Sequence, residues 1–277
     1  MSKKMARLSF PLEDLPQVAI KNTVGQFSIS GVQRKLSLVK KNGVFETTNT
    51  GGEYILKPAD AIWDQVPENE HLCMSLADDF SINVPDNMLV KLADDSIAYV
   101  VRRFDREKKV KFPVEDFCQA LNLSSTSKYS GSYENIVKGI DLYSSAPGLD
   151  KITFFRMLIY NFLICNNDAH YKNFSLLNTG NGYRLSPAYD LVNTFLILEN
   201  PQDELALSLG GKKNGIKRAD FMKLSEYMDL PEKVIIMELE RVMKTKDQFM
   251  KRIHASYLSE EKKQRFLDLY LARFSRF

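Results

Sequence analysis

Residues 166–174 read Asn166-Asn-Asp-Ala-His-Tyr-Lys-Asn-Phe174, "NNDAHYKNF", directly after the apolar run 150–166, "DKITFFRMLIYNFLICN". An Asp, a His, a Lys and three Asn abutting an apolar helix must be exposed or mutually satisfied, because burying unpaired charges costs several kcal/mol. Asp168 and Asn173 lie five residues apart. That is the spacing of a protein-kinase catalytic loop, in which the Asp takes the hydroxyl proton and the Asn holds a magnesium ion. The spacing alone equally describes a polar loop with an Asx cap.

Downstream, "YRLSPAYDLVNTF" (183–195) ends a strand at Pro187 and sets Asp190 after Tyr189. Phosphoryl transfer needs a second hard oxygen ligand from another chain segment. Asp190 stands where a kinase carries it, although Leu and Val replace the usual Phe and Gly; a turn aspartate is the simpler alternative. Upstream, Lys57 ends the apolar strand "EYILK". A strand lysine there pairs with nucleotide phosphates and with a helix glutamate, for which Glu70 is the candidate; otherwise it is a strand-end lysine reaching for solvent. "VVRRFDR" (100–106) falls where a kinase hinge would lie, and its Arg102, Arg103 and Arg106 would also serve as a charged guard on a sheet edge. "FSISGVQRKLSLV" (27–39) holds one glycine, Gly31, so it lacks the usual glycine-rich pattern for covering phosphates. A glycine loop, a strand lysine, a helix glutamate, a hinge, Asp-x4-Asn and then Asp, in that order, point to a phosphotransferase fold.

The remaining pattern agrees with two lobes. Up to about residue 110 the chain is β-rich, with strands at "KLSLV", "EYILK" and "SIAYVVRRFD" and a hairpin over 83–100. One helix is predicted in "PENEHLCMSLADDF" from Leu72, Leu76 and Phe80, with Asn69 as N-cap. From Pro113 the pattern is helical: "VEDFCQALNL", the run 150–166, "KRADFMKLSEYM", 231–258 and 259–277, the last capped by Ser259. The serine-rich stretch 124–132 reads as a loop. The expected organisation is a small N-lobe over 1–108 and a helical C-lobe over 109–277.

A 277-residue chain with 44% apolar and 26% charged residues buries a sizeable core, and a net charge of +3 is too mild to argue for direct nucleic-acid binding. Cys73, Cys118 and Cys165 form no CxxC pair, so neither a disulfide framework nor a zinc site is indicated. With no apolar run near ~20 residues, the expectation is a cytoplasmic protein without a membrane contact.

At "SISGVQRK", "NEH", "RFDR", "EDFCQAL", "KYSGSYENI", "NDAHYKNFSLL" and "LSPAYDL" the chain resembles the HipA-like serine/threonine kinase toxins of bacterial toxin-antitoxin systems. The resemblance implies an α+β, bilobal protein-kinase-like fold that uses ATP and magnesium. Asp168 would be the catalytic base, and Asn173 with Asp190 the metal ligands. Lys57, His170, Tyr171, Lys172 and Tyr189 would lie at the nucleotide, Arg102, Arg103 and Phe104 would hold the adenine through main-chain groups, and Glu70 would pair with Lys57. Ser30, Gly31, Val32, Gln33, Arg34 and Lys35 would cover the phosphates, and Ser28 and Ser30 would be autophosphorylated.

Typical members carry an N-terminal subdomain ahead of this loop, and the short stretch here is similar to the HipT toxin of three-gene HipBST systems, as is the Ser-Ile-Ser pair. The implied substrate is an aminoacyl-tRNA synthetase of tryptophanyl or glutamyl type. The implied partners are a HipS-like small antitoxin and a HipB-like helix-turn-helix protein, with DNA reached only through the complex. The alternatives are a nucleotide-binding scaffold within a repressor complex and a small-molecule kinase.

Overall fold

The computed structural model describes residues 5–8, 35–60, 62–107 and 110–277. Alternating apolar residues and tight turns build the N-terminal sheet. In β2 (Leu36–Lys41) Leu36 and Leu38 face inward while Lys40 and Lys41 are exposed. Asn42 and Gly43, both at positive φ (49° and 85°), turn it into β3 (Val44–Thr47). Asn-Gly is the pair that tolerates the two left-handed residues a two-residue hairpin requires. β4 (Tyr54–Pro58), β5 (Asn87–Lys91) and β6 (Ile97–Arg102) follow, and the short β1 (Ala6–Arg7) joins the edge. The sheet order is β1-β5-β6-β4-β2-β3, antiparallel except for β1 against β5. Lys57 stands opposite Tyr99, near the middle of the sheet.

Helix α1 (Val66–Asp79) covers one face of that sheet with Leu72, Cys73, Met74, Leu76 and Ala77. Its start corrects the expectation of an Asn69 cap. The helix begins at Val66, and the buried Asn69 sits inside it. The Asn69 amide donates to the Asn193 carbonyl (2.9 Å) and accepts the Asn193 N–H (3.0 Å), tying α1 to the segment after Asp190. Local propensity suggested a cap, whereas tertiary pairing decided the position.

A short β7 (Arg106–Glu107) and β8 (Val110–Lys111) pair lies between the lobes in sequence. "VEDFCQALNL" is not one helix: β9 (Val114–Asp116) pairs with a later strand, and α2 (Phe117–Ala120) is a single turn with a capping box between Asp116 and Gln119. α3 (Tyr133–Tyr143) follows, a helix the periodicity reading did not assign. α4 (Pro147–Leu163) is almost wholly buried from Phe154 onward and forms the axis of the main core, which extends through α5 (Arg218–Tyr227), α6 (Glu232–His254) and α7 (Glu260–Phe274). Ser259 caps α7 as expected, accepting the Lys262 N–H at 3.3 Å.

The two polar residues that interrupt α4 are paired. Asn161 donates to the Met157 carbonyl (2.9 Å) and accepts from Asn166 (2.8 Å), holding the start of the polar loop. Arg156 grips Glu238 of α6 through two bonds (2.8 and 2.6 Å) and donates to the Ser81 carbonyl beyond α1 (2.8 Å). Glu238 is 3% exposed, and although burial alone would raise its pKa, Arg156 and Arg241 hold it below the usual carboxylate range. Arg156→Ala removes the better partner of a buried carboxylate and is expected to cost about 3 kcal/mol, read as a lower urea midpoint with unchanged slope.

Candidate active site

The hairpin of β10 (Ser175–Asn178) and β11 (Tyr183–Leu185) assembles the chemistry. Leu176 pairs with Leu185, and the Ser186 N–H donates to the Ser175 carbonyl (2.8 Å), so Asn173 and Asp190 emerge from the same end of the hairpin. Asp190 adopts a left-handed φ of 52°, a conformation that Asp tolerates better than most residues.

Lys57 reaches Asp190 from the opposite lobe. Its ammonium bonds Glu70 Oε1 at 2.5 Å and also Asp190 Oδ1, with the lysine and the glutamate both buried. Burial alone would lower the Lys57 pKa, but the carboxylates of Asp190 and Glu70 outweigh it and hold the lysine charged. Burial pushes the Glu70 carboxyl up despite Lys57. The three groups therefore share charge across β4, α1 and the C-terminal part, and Lys57 is not a strand-end lysine in solvent.

All three line a cleft of about 430 Å³. Lys35, Ile55, Met74, Tyr99, Val101, Arg102, Arg103, Phe104, Phe112, Ser175 and Tyr189 contribute to its walls. A lining that mixes apolar side chains with charged groups, Lys35 and Lys57 among them, suits a base and its phosphates. The hinge arginines are paired: Arg103 forks onto Asp105 (2.8 Å twice), Arg106 bonds Asp105 at 2.6 Å, and Arg102 lies 3.8 Å from Asp86. The N–H groups of Arg102 and Arg103 donate to the carbonyls of Asp86 and Glu53 (2.8 Å each). Tyr189 packs against Phe104 (5.5 Å between centroids), while its hydroxyl meets Ser175 at 2.5 Å and donates to the Lys172 carbonyl at 2.7 Å.

Asp168 faces a second cleft of about 410 Å³, walled by Tyr129, Asn167, residues 198–203, Leu205, Ala206 and Lys213. Its backbone N–H donates to Asn166 Oδ1 (3.2 Å), and its carbonyl accepts the His170 N–H (2.8 Å). Tyr129 donates its hydroxyl to Asp168 Oδ1. Asn167 braces the loop from the other side by accepting from Thr194 (2.6 Å) and donating to the Asp203 carbonyl (2.9 Å). His170 is 2% exposed; burial and the neighbouring Lys128 push its pKa down to about 3, so it is neutral. Asn173 accepts the His170 N–H at 3.2 Å through its side-chain oxygen.

Tyr171, expected at the nucleotide, has its ring in the core. It is fully buried, and its hydroxyl serves the loop before α3, taking the Ser132 N–H (3.1 Å) and the Asn135 amide (3.0 Å). Ser28, Ser30, Gly31, Val32, Gln33 and Arg34 lie outside the described residues. Tyr129, Asn167, Thr194 and the Asn69–Asn193 pair went unnoticed in the sequence, since each acts across long separations that no local spacing encodes.

Asn173 and Asp190 offer hard oxygen atoms from one end of one hairpin, a donor set that fits magnesium and not a soft metal. Among the described residues no cluster of three His, Cys, Asp or Glu side chains forms a metal site of its own.

A strand lysine bonded to a helix glutamate and to Asp190, with an Asp-x4-Asn loop whose Asp168 lines a second cleft, fits a bilobal kinase. The chain belongs to the HipA-like C-terminal domain family, which matches residues 27–255. A Haemophilus influenzae protein described as "Putative kinase" is 32% identical over 240 residues, covering 76% of this chain and 70% of that protein. The Shewanella oneidensis "Serine/threonine-protein kinase toxin HipA" is 27% identical over 241 residues, 78% of this chain and 55% of the relative. The chain thus spans little more than half of that toxin. Among solved structures, HipA from a Shewanella oneidensis complex of HipA, HipB and operator DNA superposes with a TM-score of 0.79 at 24% identity, over 94% of this chain and 67% of that one. The α+β kinase fold is therefore established. Among the described residues no helix is long and apolar enough to cross a membrane.

Proposed function

We propose that this chain is the toxin of a bacterial toxin-antitoxin system, an ATP- and magnesium-dependent protein serine/threonine kinase that phosphorylates an aminoacyl-tRNA synthetase and its own Ser28 and Ser30. The observation that carries the catalytic part is the bonded Lys57–Glu70–Asp190 triad, with Asp168 apart from it. Lys57, Glu70 and Asp190 line one cleft and Asp168 another, which supports separate places for the phosphate donor and the hydroxyl acceptor. Lys57 would hold the donor phosphates, and Asp168 would take the acceptor proton as the new P–O bond forms and the bond to the nucleoside diphosphate breaks. Asn173 and Asp190 would hold magnesium, which neutralises charge on the phosphates. Neutral His170 adds no charge at this point.

Phosphate on a serine of a synthetase's ATP-binding loop would repel ATP and stall translation. The HipA–HipB–operator complex of the Shewanella oneidensis relative supports a HipB-like partner, and the Ser28-Ile29-Ser30 pair favours the HipT type with a HipS-like one. Incubation with labelled ATP and cell extract is expected to label one synthetase and the chain itself, after phosphatase treatment of the preparation. Labelling of a metabolite and no protein would overturn the protein-kinase assignment. Phosphorylation at Ser28 and Ser30 adds about −1.5 to −2 charges each beside Arg34 and Lys35. The doubly phosphorylated chain is expected to bind ATP about tenfold more weakly than the unmodified one by calorimetry.

A further inference from the structure

We infer that Tyr129 is a positioning residue for phosphoryl transfer, fixing the Asp168 carboxylate toward the second cleft, and that Tyr171 locks the loop that presents it. The role presupposes the kinase function proposed above. Tyr129 lies on the serine-rich segment 124–132, 39 residues before Asp168, yet its hydroxyl donates to Asp168 Oδ1. Its ring meets the buried His170 edge-on at 4.7 Å, and the Lys128 ammonium stands 5.1 Å from the centre of that ring. A carboxylate serving as base must keep one orientation toward the incoming hydroxyl, and a phenol bonded to one oxygen sets the plane of the group.

The segment is held firmly enough to do this. The Tyr171 N–H donates to the Lys128 carbonyl (3.4 Å), and the Tyr171 hydroxyl donates to the Ser132 carbonyl (3.2 Å). Gly131 lies against that hydroxyl at a φ of 151°, where a Cβ would stand 2.1 Å from the phenol oxygen. Only glycine allows this approach. The catalytic loop thus carries, at Tyr171, the anchor for the segment that returns Tyr129 to Asp168. Tyr129 also forms part of the wall of the second cleft, so an acceptor entering there meets the residue that orients the base.

The test is steady-state transfer from ATP to the chain's protein acceptor by the parent, Tyr129→Phe, Asp168→Asn and the double variant, with ATP affinity and melting temperature measured alongside. Tyr129→Phe is expected to lower kcat about 10- to 100-fold while leaving ATP affinity within twofold of the parent. In the Asp168→Asn background the same change should have no further effect on kcat, because the base it positions is gone. A kcat for Tyr129→Phe within twofold of an active parent overturns the positioning role and leaves the kinase assignment standing. Multiplicative losses in the double variant, or a fall in ATP affinity and melting temperature matching the fall in rate, also overturn it by showing an independent or merely structural residue. A parent that transfers phosphate to no protein removes the kinase assignment and this role with it.

Discussion

Asp168→Asn is expected to bind ATP as the parent does and to transfer phosphate about 10²- to 10⁴-fold more slowly, the contribution a positioned general base makes. At about 1.4 kcal/mol per factor of ten, that is roughly 3–5.5 kcal/mol of transition-state stabilisation. The substitution is nearly isosteric and keeps an oxygen that can accept the Tyr129 hydroxyl. The Asn166 and His170 bonds to the main chain of residue 168 do not depend on its side chain. The fold should therefore survive, and the melting temperature should stay within a few degrees of the parent. Single-turnover transfer from labelled ATP, with calorimetric nucleotide affinity as control, measures the effect. A rate within tenfold of the parent would show that Asp168 is not the base.

Lys57→Met acts on binding and stability together. It removes the ammonium between Glu70, which is 4% exposed, and Asp190, leaving two carboxylates facing each other in a poorly hydrated space. Breaking a buried pair in this way costs about 3–5 kcal/mol, and under the proposed mechanism the ATP phosphates would lose their lysine. Without Lys57, burial and Asp190 both act to raise the Glu70 pKa, and nothing from the lysine opposes them. A carboxyl whose folded pKa lies above its unfolded value destabilises the fold at high pH, where it must ionise. It ceases to do so as pH falls toward the unfolded value near 4.3. The stability gap between parent and variant should consequently narrow as the pH is lowered from 8 to 5 in urea titrations. A gap that stays constant or widens would mean that Glu70 does not carry the penalty.

Much of this site was legible because kinases place their groups in a fixed chain order. Lys57 ends an apolar strand, Glu70 stands one helix later, and Asp168, Asn173 and Asp190 follow with local spacings that survive without neighbours. The Ser259 cap was legible for the same reason, since it acts within a few residues. Helix α1 was seen, but its start was misplaced. Asn69 has the chemistry of a cap, and only the approach of Asn193 from 124 residues away gives its amide better partners inside the helix. "VEDFCQALNL" failed likewise: Val114 and Glu115 pair with β10, and sheet pairing overrides helical propensity.

By itself, the sequence determined the two-part α+β organisation, the identity and order of the acid, amide and lysine groups, and the absence of a CxxC metal pattern. Those properties follow from periodicity and local spacing, which the chain carries at every point. Only the tertiary structure decided that Lys57 bonds Glu70 and Asp190 together, that Asp168 faces a cleft different from theirs, and that the Tyr171 hydroxyl bonds the loop bearing Tyr129. Each of these depends on the direction of a side chain across a contact between distant segments. Such directions are set when the β10–β11 hairpin and α4 pack, and residue order does not specify them.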